Sequence, residues 1–346
     1  MQTLICDREQ HVLGPNGVTR RQFLVGATAS VLLAACGIDP TGETARRPGT
    51  RTIKHFAGTT EVPVDPRRIV TLQDQNALLP LLELGVKPVA SAGLLADDGT
   101  RTFRRTDGFD TSGIEFIGEY GDPNLEAIAA ARPDLIVCDE FSAEEVYDQL
   151  SKIAPTVFVQ VFNRPLTEAL LDFARVVGKQ DRAAELQRAY RAKVEDFKAQ
   201  MGDELSRTSV SLLSAGDPGR FYQADSGGQA QYTVMLDLGL PRPAPQRPGA
   251  SEDFTEYGLE QLPEHDADAV IVDDYSGDSS SDPGVDALTK SPLYANLAAT
   301  RAGQSYVIDA TKSVGSAWAR MEAFIGQLED ILLDPSFNHD AVTESA

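Results

Sequence analysis

Four carboxylates in this chain recur at one spacing. Glu126 precedes Asp134 by eight positions, and Glu260 precedes Asp268 by eight. Each aspartate opens an apolar run, Leu135-Ile136-Val137 in the first copy and Ala269-Val270-Ile271 in the second. This layout predicts a short helix with an exposed glutamate near its N-terminus, followed by a buried strand. The helix dipole favours a carboxylate there without requiring one. A repeating α/β chain produces one such copy by chance; two copies, one in each half, are harder to assign to chance.

A second candidate lies far upstream. Thr19-Arg20-Arg21-Gln22-Phe23-Leu24 opens a short apolar run that ends Leu33-Ala34-Ala35-Cys36. Paired arginines ahead of an apolar segment look like a twin-arginine export signal, and Leu-Ala-Ala-Cys resembles a lipobox whose cysteine is lipidated. Phe23 to Ala35 is far shorter than the roughly 20 residues needed to span a bilayer. Residues 1–35 therefore read as a removable leader, Cys36 as a lipid site, and the mature protein as exported and tethered to the outer face of the cytoplasmic membrane. The Gly/Pro/Thr/Arg-rich residues 36–51 read as a flexible tether.

Composition narrows the partners. The chain of 346 residues has a formal net charge of −21, which argues against nucleic acid or anionic lipid as the main partner. Three cysteines, Cys6, Cys36 and Cys138, leave one thiol in the folded body, so no intramolecular disulfide is expected. Cys138 ends an apolar run and reads as a buried strand-end thiol. The body's histidines, His55, His265 and His339, are too scattered for a metal site.

The elements that must position these residues alternate. Strands are predicted at Arg68–Leu72, Lys87–Ser91, Leu135–Cys138 and Thr156–Val159, with helices over 77–84 and 143–153 between them. Residues 165–202 carry only helical signal, and 181–201 places Ala183, Leu186, Tyr190, Val194, Phe197 and Met201 on one face. Strands then return at Val210–Leu213, Ala269–Val272 and Ser305–Ile308, before a last helix from about Ser316 to Ile331. The fold class is α/β: two Rossmann-like lobes with largely parallel central sheets, joined by one long helix, with a ligand cleft between them. The division is an N-terminal lobe at 52–165, a helical linker at 166–204 and a C-terminal lobe at 205–346.

Gly118 followed by Asp122-Pro123-Asn124-Leu125-Glu126, and Arg132-Pro133-Asp134-Leu135-Ile136-Val137, resemble the N-lobe signature of ferric-siderophore and cobalamin periplasmic-binding proteins. These are the helical-backbone class of solute-binding proteins of ABC importers. Pro66-Arg67-Arg68-Ile69-Val70 with Leu84-Gly85-Val86-Lys87-Pro88-Val89 matches the family's opening, and Leu238-Gly239-Leu240-Pro241-Arg242-Pro243 its C-lobe. The resemblance covers about residues 52–333. It implies a monomeric binder that is not an enzyme, an Fe(III)–siderophore ligand, and docking of Glu126 and Glu260 on arginines of a permease dimer. Haem, through Tyr120, Tyr222 or Tyr275, and cobalamin stay open as ligands.

Ligand is expected where strand ends of the two lobes face each other. The candidates are Gln73, Asp74, Tyr120 and Phe141 in the first lobe, and Arg220, Tyr222, Tyr275, Trp318 and Arg320 in the second. Hydroxamate-binding members often carry an arginine just before Pro-Asn-Leu-Glu; here that loop is Glu119-Tyr120-Gly121-Asp122. Arg101, Arg104 and Arg105 either supply the positive charge instead or are solvated loop residues, the second reading being slightly favoured. A rival enzyme reading rests on Ala224-Asp225-Ser226-Gly227-Gly228, which resembles the nucleophile segment of trypsin-like proteases. It needs a histidine base in a double β-barrel, against the α/β alternation.

Overall fold

The computed structural model describes residues 49–96, 98–140, 146–223, 230–249, 255–277 and 282–339. The leader, Cys36, Phe141 and the 224–228 segment lie outside the described residues. A hairpin comes first: β1 (Thr50–His55) pairs antiparallel with β2 (Gly58–Pro63). Thr50 and Arg51, assigned to the tether from composition, belong to β1. Arg51 is anchored there by its guanidinium, which donates to the carbonyls of Val64 at 2.7 Å and Val176 at 2.6 Å.

The first lobe is built on β3 (Ile69–Thr71), β4 (Ala90–Leu95), β5 (Arg101–Thr102), β6 (Glu115–Glu119), β7 (Leu135–Asp139) and β8 (Thr156–Val159). Its strand order is β5-β4-β3-β7-β8, with β6 also pairing β4, and every pair except β4–β5 is parallel. The predicted helix over 77–84 is a wider turn at Asp74–Leu78 that tightens into α1 (Leu79–Glu83). Two further helices, α2 (Leu125–Ala130) and α3 (Tyr147–Ile153), cover the sheet's other face.

Next come α4 (Leu166–Val177) and the 22-residue α5 (Gln180–Met201). Ala183, Tyr190, Val194, Phe197 and Met201 of α5 are buried, as the helical spacing predicts. Gly178, left-handed at φ 71°, separates the two helices, a conformation in which a side chain would be strained.

The second lobe holds β9 (Val210–Ala215), β10 (Arg220–Gln223), β11 (Glu256–Gly258), β12 (Ala269–Asp274) and β13 (Ser305–Asp309) in the order β11-β10-β9-β12-β13. The β9–β12 and β12–β13 pairs are parallel, whereas β10 runs antiparallel to both neighbours. Helix α6 (Ala230–Leu238) and the terminal α10 (Trp318–Leu332) cover one face. On the other lie α7 (Pro283–Thr289), α8 (Pro292–Ala295) and α9 (Ala298–Arg301).

The core explains how the lobes are joined. One cluster of buried side chains runs from Ile69, Leu135 and Val157 of the first sheet, through α4, α5, α6 and α10, to Val210, Leu212 and Ile271 of the second. Separation of the lobes would expose part of this apolar surface at roughly 25 cal/mol per Å². The sequence pattern singles out one strut helix; in the structure α5 is part of a shared helical layer. Among the described residues, no helix is long and apolar enough to cross a membrane.

Candidate functional site between the lobes

In each sheet the chain first adds strands to one side and then to the other, and ligands bind at such a reversal outside the carboxyl ends of the strands. Here that point lies after β3 and β7 in one lobe and after β9 and β12 in the other. A cavity of about 340 Å³ occupies it. From the first lobe it is lined by Gln75, Asn76, Arg104, Arg105 and Phe162, and from the second by Ala230, Tyr275, Val314, Gly315 and Ser316. A larger hollow of about 600 Å³ lies among β1, β8 and α4, beside one sheet's edge and away from the strand ends.

The arginine-rich segment forms the positive wall of the cavity. Arg104 pairs with Asp74 through Nη2 to Oδ1 at 2.7 Å and Nε to Oδ2 at 3.0 Å, and its backbone N–H donates to Oδ2 at 2.8 Å. Its guanidinium lies 3.9 Å from the Tyr120 ring centroid, a cation–π stack. Burial works against the charge on Arg104, but Asp74 and Tyr120 outweigh it and raise the pKa.

Arg105 is held differently. Its backbone is left-handed at φ 60°, and its carbonyl accepts from Nη2 of Arg320. Its guanidinium lies 5.8 Å from the Tyr275 ring, and its buried Nε has no hydrogen-bond partner among the described residues. Burial lowers its pKa, although an arginine stays charged. Strained backbone around a partly unsatisfied cation marks a candidate ligand contact.

Beneath the other wall is a buried carboxylate. Asp273, 1% exposed, accepts from Gln231 Nε2 at 2.8 Å, Ser214 Oγ at 3.3 Å and Tyr275 Oη at 3.3 Å. Burial pushes it up to about 7, against the opposing pull of those three donors. Burial and the neighbouring Asp273 raise the Tyr275 phenol, which therefore stays protonated near neutral pH.

The sequence candidates separate into several groups. Tyr275 lines the cavity, and Tyr120 backs the Arg104 guanidinium. Asp74 is fully buried, its oxygens taken by Arg104 and by the Gln75 N–H, so it holds a cation and does not face the cavity. Gln73 caps the following turn, accepting from Asn76 N–H at 2.6 Å. Trp318 is fully buried in the shared core. Arg320 is 8% exposed and ties the carbonyls of Thr311, Lys312 and Arg105 together, which positions Arg105. Tyr222 and Arg220 reach Glu256 of β11, at 3.0 Å and 3.6 Å, and neither lines the cavity. Of the two readings of the arginine cluster, the less favoured fits better, because Arg104 and Arg105 are packed against the cavity. Arg101 is exposed beside Phe116. Sequence reading missed Gln75, Asn76, Phe162 and Ser316, which carry no motif; for the first three, a position about one turn past a strand end was the available signal.

The repeated motif has a clear geometry. Glu126 and Glu260 are both exposed in the first turn of a short helix, α2 and the 3₁₀ turn Leu259–His265. Asp134 accepts from the N–H groups of Arg67 at 2.7 Å and Arg68 at 2.9 Å, just ahead of β3. Asp268 accepts from Ser209 N–H at 2.8 Å and Oγ at 2.6 Å, just ahead of β9. Each aspartate thus pins the start of the neighbouring parallel strand.

Chemistry for an enzyme is not assembled by the described histidines. His265 is buried against Phe221 and Tyr257, and burial lowers it to about 4. His55 bonds Thr60 and the Phe158 N–H. Among the described residues no cluster of three His, Cys, Asp or Glu side chains could hold a metal ion.

Known proteins share this arrangement. The family model described as "Periplasmic binding protein" matches residues 94–311. The probable siderophore-binding lipoprotein YfiY of Bacillus subtilis is 31% identical over 268 residues, covering 75% of this chain and 80% of that protein. The Fe(3+)-citrate-binding protein YfmC of the same organism is 27% identical over 298 residues, covering 82% and 89%. The crystal structure of Staphylococcus aureus SirA complexed with staphyloferrin B aligns with a TM-score of 0.67 at 27% identity, over 82% of this chain and 99% of that one. With two α/β sheets, a shared helical layer and a cavity at the strand ends, the chain belongs to the periplasmic binding protein family, whose members bind solutes for ABC transporters and are not enzymes.

Proposed function

We propose that this chain is the lipid-anchored solute-binding component of an ABC importer, capturing an Fe(III)–siderophore complex and delivering it to the permease. The observation that carries the reading is Arg105, a partly buried guanidinium facing an aromatic cavity between the lobes. Ferric chelates are bulky, partly apolar and often anionic, and a desolvated arginine beside aromatic rings suits all three properties. The names of YfiY, YfmC and SirA's bound ligand support the same class. Calorimetric titration with a panel of ferric siderophores, ferric citrate, haem and cobalamin tests it. One tight ferric chelate is expected, whereas haem or cobalamin alone would reassign the ligand and silence throughout would refute the reading.

Delivery rests on Glu126 and Glu260, each on an exposed turn of its own lobe and suited to arginines of a permease dimer. Exchanging both for Ala abolishes uptake and leaves ligand affinity intact; lost affinity would place them in the site instead. Cys36 is the proposed lipid site, with export through the twin-arginine signal of residues 1–35, and its exchange for Ser releases the protein from the membrane fraction. The proposed division opens the first lobe with β1, at 50–165, and keeps the second at 205–346, around the helical linker 166–204.

A further inference from the structure

Helix α10 has no cap of its own. Its N-cap residue is Ala317, whose methyl group cannot accept a hydrogen bond, yet the first N–H groups of a helix need partners. The cap comes from the other lobe. Glu83, at the end of α1, accepts from Trp318 N–H at 2.9 Å through one oxygen and from Ala319 N–H at 2.7 Å through the other. Just upstream, the N–H of Ser316 donates to the Gln75 carbonyl at 3.0 Å, and its hydroxyl donates to Asn76 Oδ1 at 2.8 Å. Gly315 packs so closely that an added Cβ would lie 2.8 Å from Leu79. Residues 315–319 of one lobe are therefore fastened along 75–83 of the other, and Gln75, Asn76, Gly315 and Ser316 line the cavity itself.

We propose that Glu83 is a positioning residue, an interlobe clasp that sets the separation of the two lobes, and with it the cavity width and the spacing of Glu126 and Glu260. The clasp works through charge and geometry together. As a carboxylate, Glu83 satisfies two orphan N–H groups and places a negative charge at a helix N-terminus. An amide in its place keeps a single accepting oxygen and leaves one of those N–H groups unpaired at a buried junction, which loosens the fastening. Burial raises Glu83 to about 7, the two backbone N–H groups oppose that rise, and the facing charges are Glu322 and Arg320 on α10 and Arg182 on α5. The reading of the cavity as a siderophore site bears on what the clasp is for, but its effect on lobe separation needs no ligand.

The test measures the distance between spectroscopic labels at exposed Glu115 and Val307, one per lobe, introduced as unnatural side chains in the ligand-free protein. The wild type gives one narrow distance. Glu83→Gln, isosteric with a single accepting oxygen, and Glu83→Ala, with none, broaden that distribution in turn while remaining folded by circular dichroism. An equally narrow distance in both variants overturns the proposal. Because this readout contains no chelate, failure of the siderophore panel leaves it standing, and its failure leaves the panel result standing.

Discussion

The two lobes carry the same short unit and build it with different chemistry. In both, an exposed glutamate is followed eight residues later by an aspartate that pins a neighbouring strand, and five further on by an aspartate buried at the cleft. Asp139 of the first lobe accepts from Asn76 Nδ2 at 3.2 Å, and Asp273 of the second from Gln231 Nε2 at 2.8 Å. The caps differ: Asn124 accepts from Ala127 N–H at 3.0 Å, whereas Gly258 has no side chain and the Gln261 amide reaches back to its N–H at 3.2 Å. The walls differ too, guanidinium groups on one side and a phenol and hydroxyl on the other. Geometry is thus held in common, while the cationic groups that line the cavity are confined to one lobe.

The largest expected effect tests that confinement. Arg105→Ala weakens the chelate found by the panel by about 100-fold, near 2.7 kcal/mol, the scale of a desolvated charge-assisted contact. Arg220→Ala, tied to Glu256 outside the cavity, changes affinity less than about twofold. Equal losses in the two titrations would erase the difference between the walls.

The strand pins come next. Asp268 is 5% exposed and Asp134 half-buried, so Asp268→Ala destabilises by about 2 kcal/mol in urea and Asp134→Ala by about 1 kcal/mol. The reverse ranking would show that burial does not govern the pair.

A pH series sharpens the contrast at the cleft floor. Asp273 has a folded pKa of about 7 against an ordinary 3.8, so the unfolded chain releases its proton first and wild-type stability falls as pH rises between those values. Asp273→Asn removes that slope, and its stability relative to wild type climbs from about pH 4 to about pH 7. A flat difference between the two unfolding curves would mean the carboxylate is ionised throughout. The smallest effects concern the caps. Asn124→Ala costs about 1 kcal/mol in thermal unfolding. Gly258→Ala costs only a few tenths, because the added methyl meets the flexible Glu260 carboxylate, which can swing away.

Much of the scaffold was legible because it rests on periodicity. The runs at 135–138 and 269–272 are unbroken apolar stretches and those at 69–72 and 210–213 hold one polar residue each, the mark of strands buried on both faces. The buried face of α5 follows from 3.6-residue spacing. The hairpin β1–β2, the short β5 and β6, and the antiparallel β10 and β11 were missed, being short, polar or half-exposed. The site was legible only in outline. Asp74, Trp318 and Arg320 are the residue types a ferric chelate would attract, but partners distant in sequence claimed them first. Arg105 looked like one polar loop residue among several until Arg320, 215 positions away, was seen to hold its carbonyl.

The sequence by itself determined the α/β class, the paired glutamates and aspartates, and the long helix between two lobes. Those features depend on burial patterns and on chemistry within a few residues. Only the tertiary structure decided which cations face the cavity, that α5 belongs to a shared core, and that α10 is capped by Glu83 from the opposite lobe. A buried polar group must find a partner wherever the fold places one, and local sequence does not record where that is.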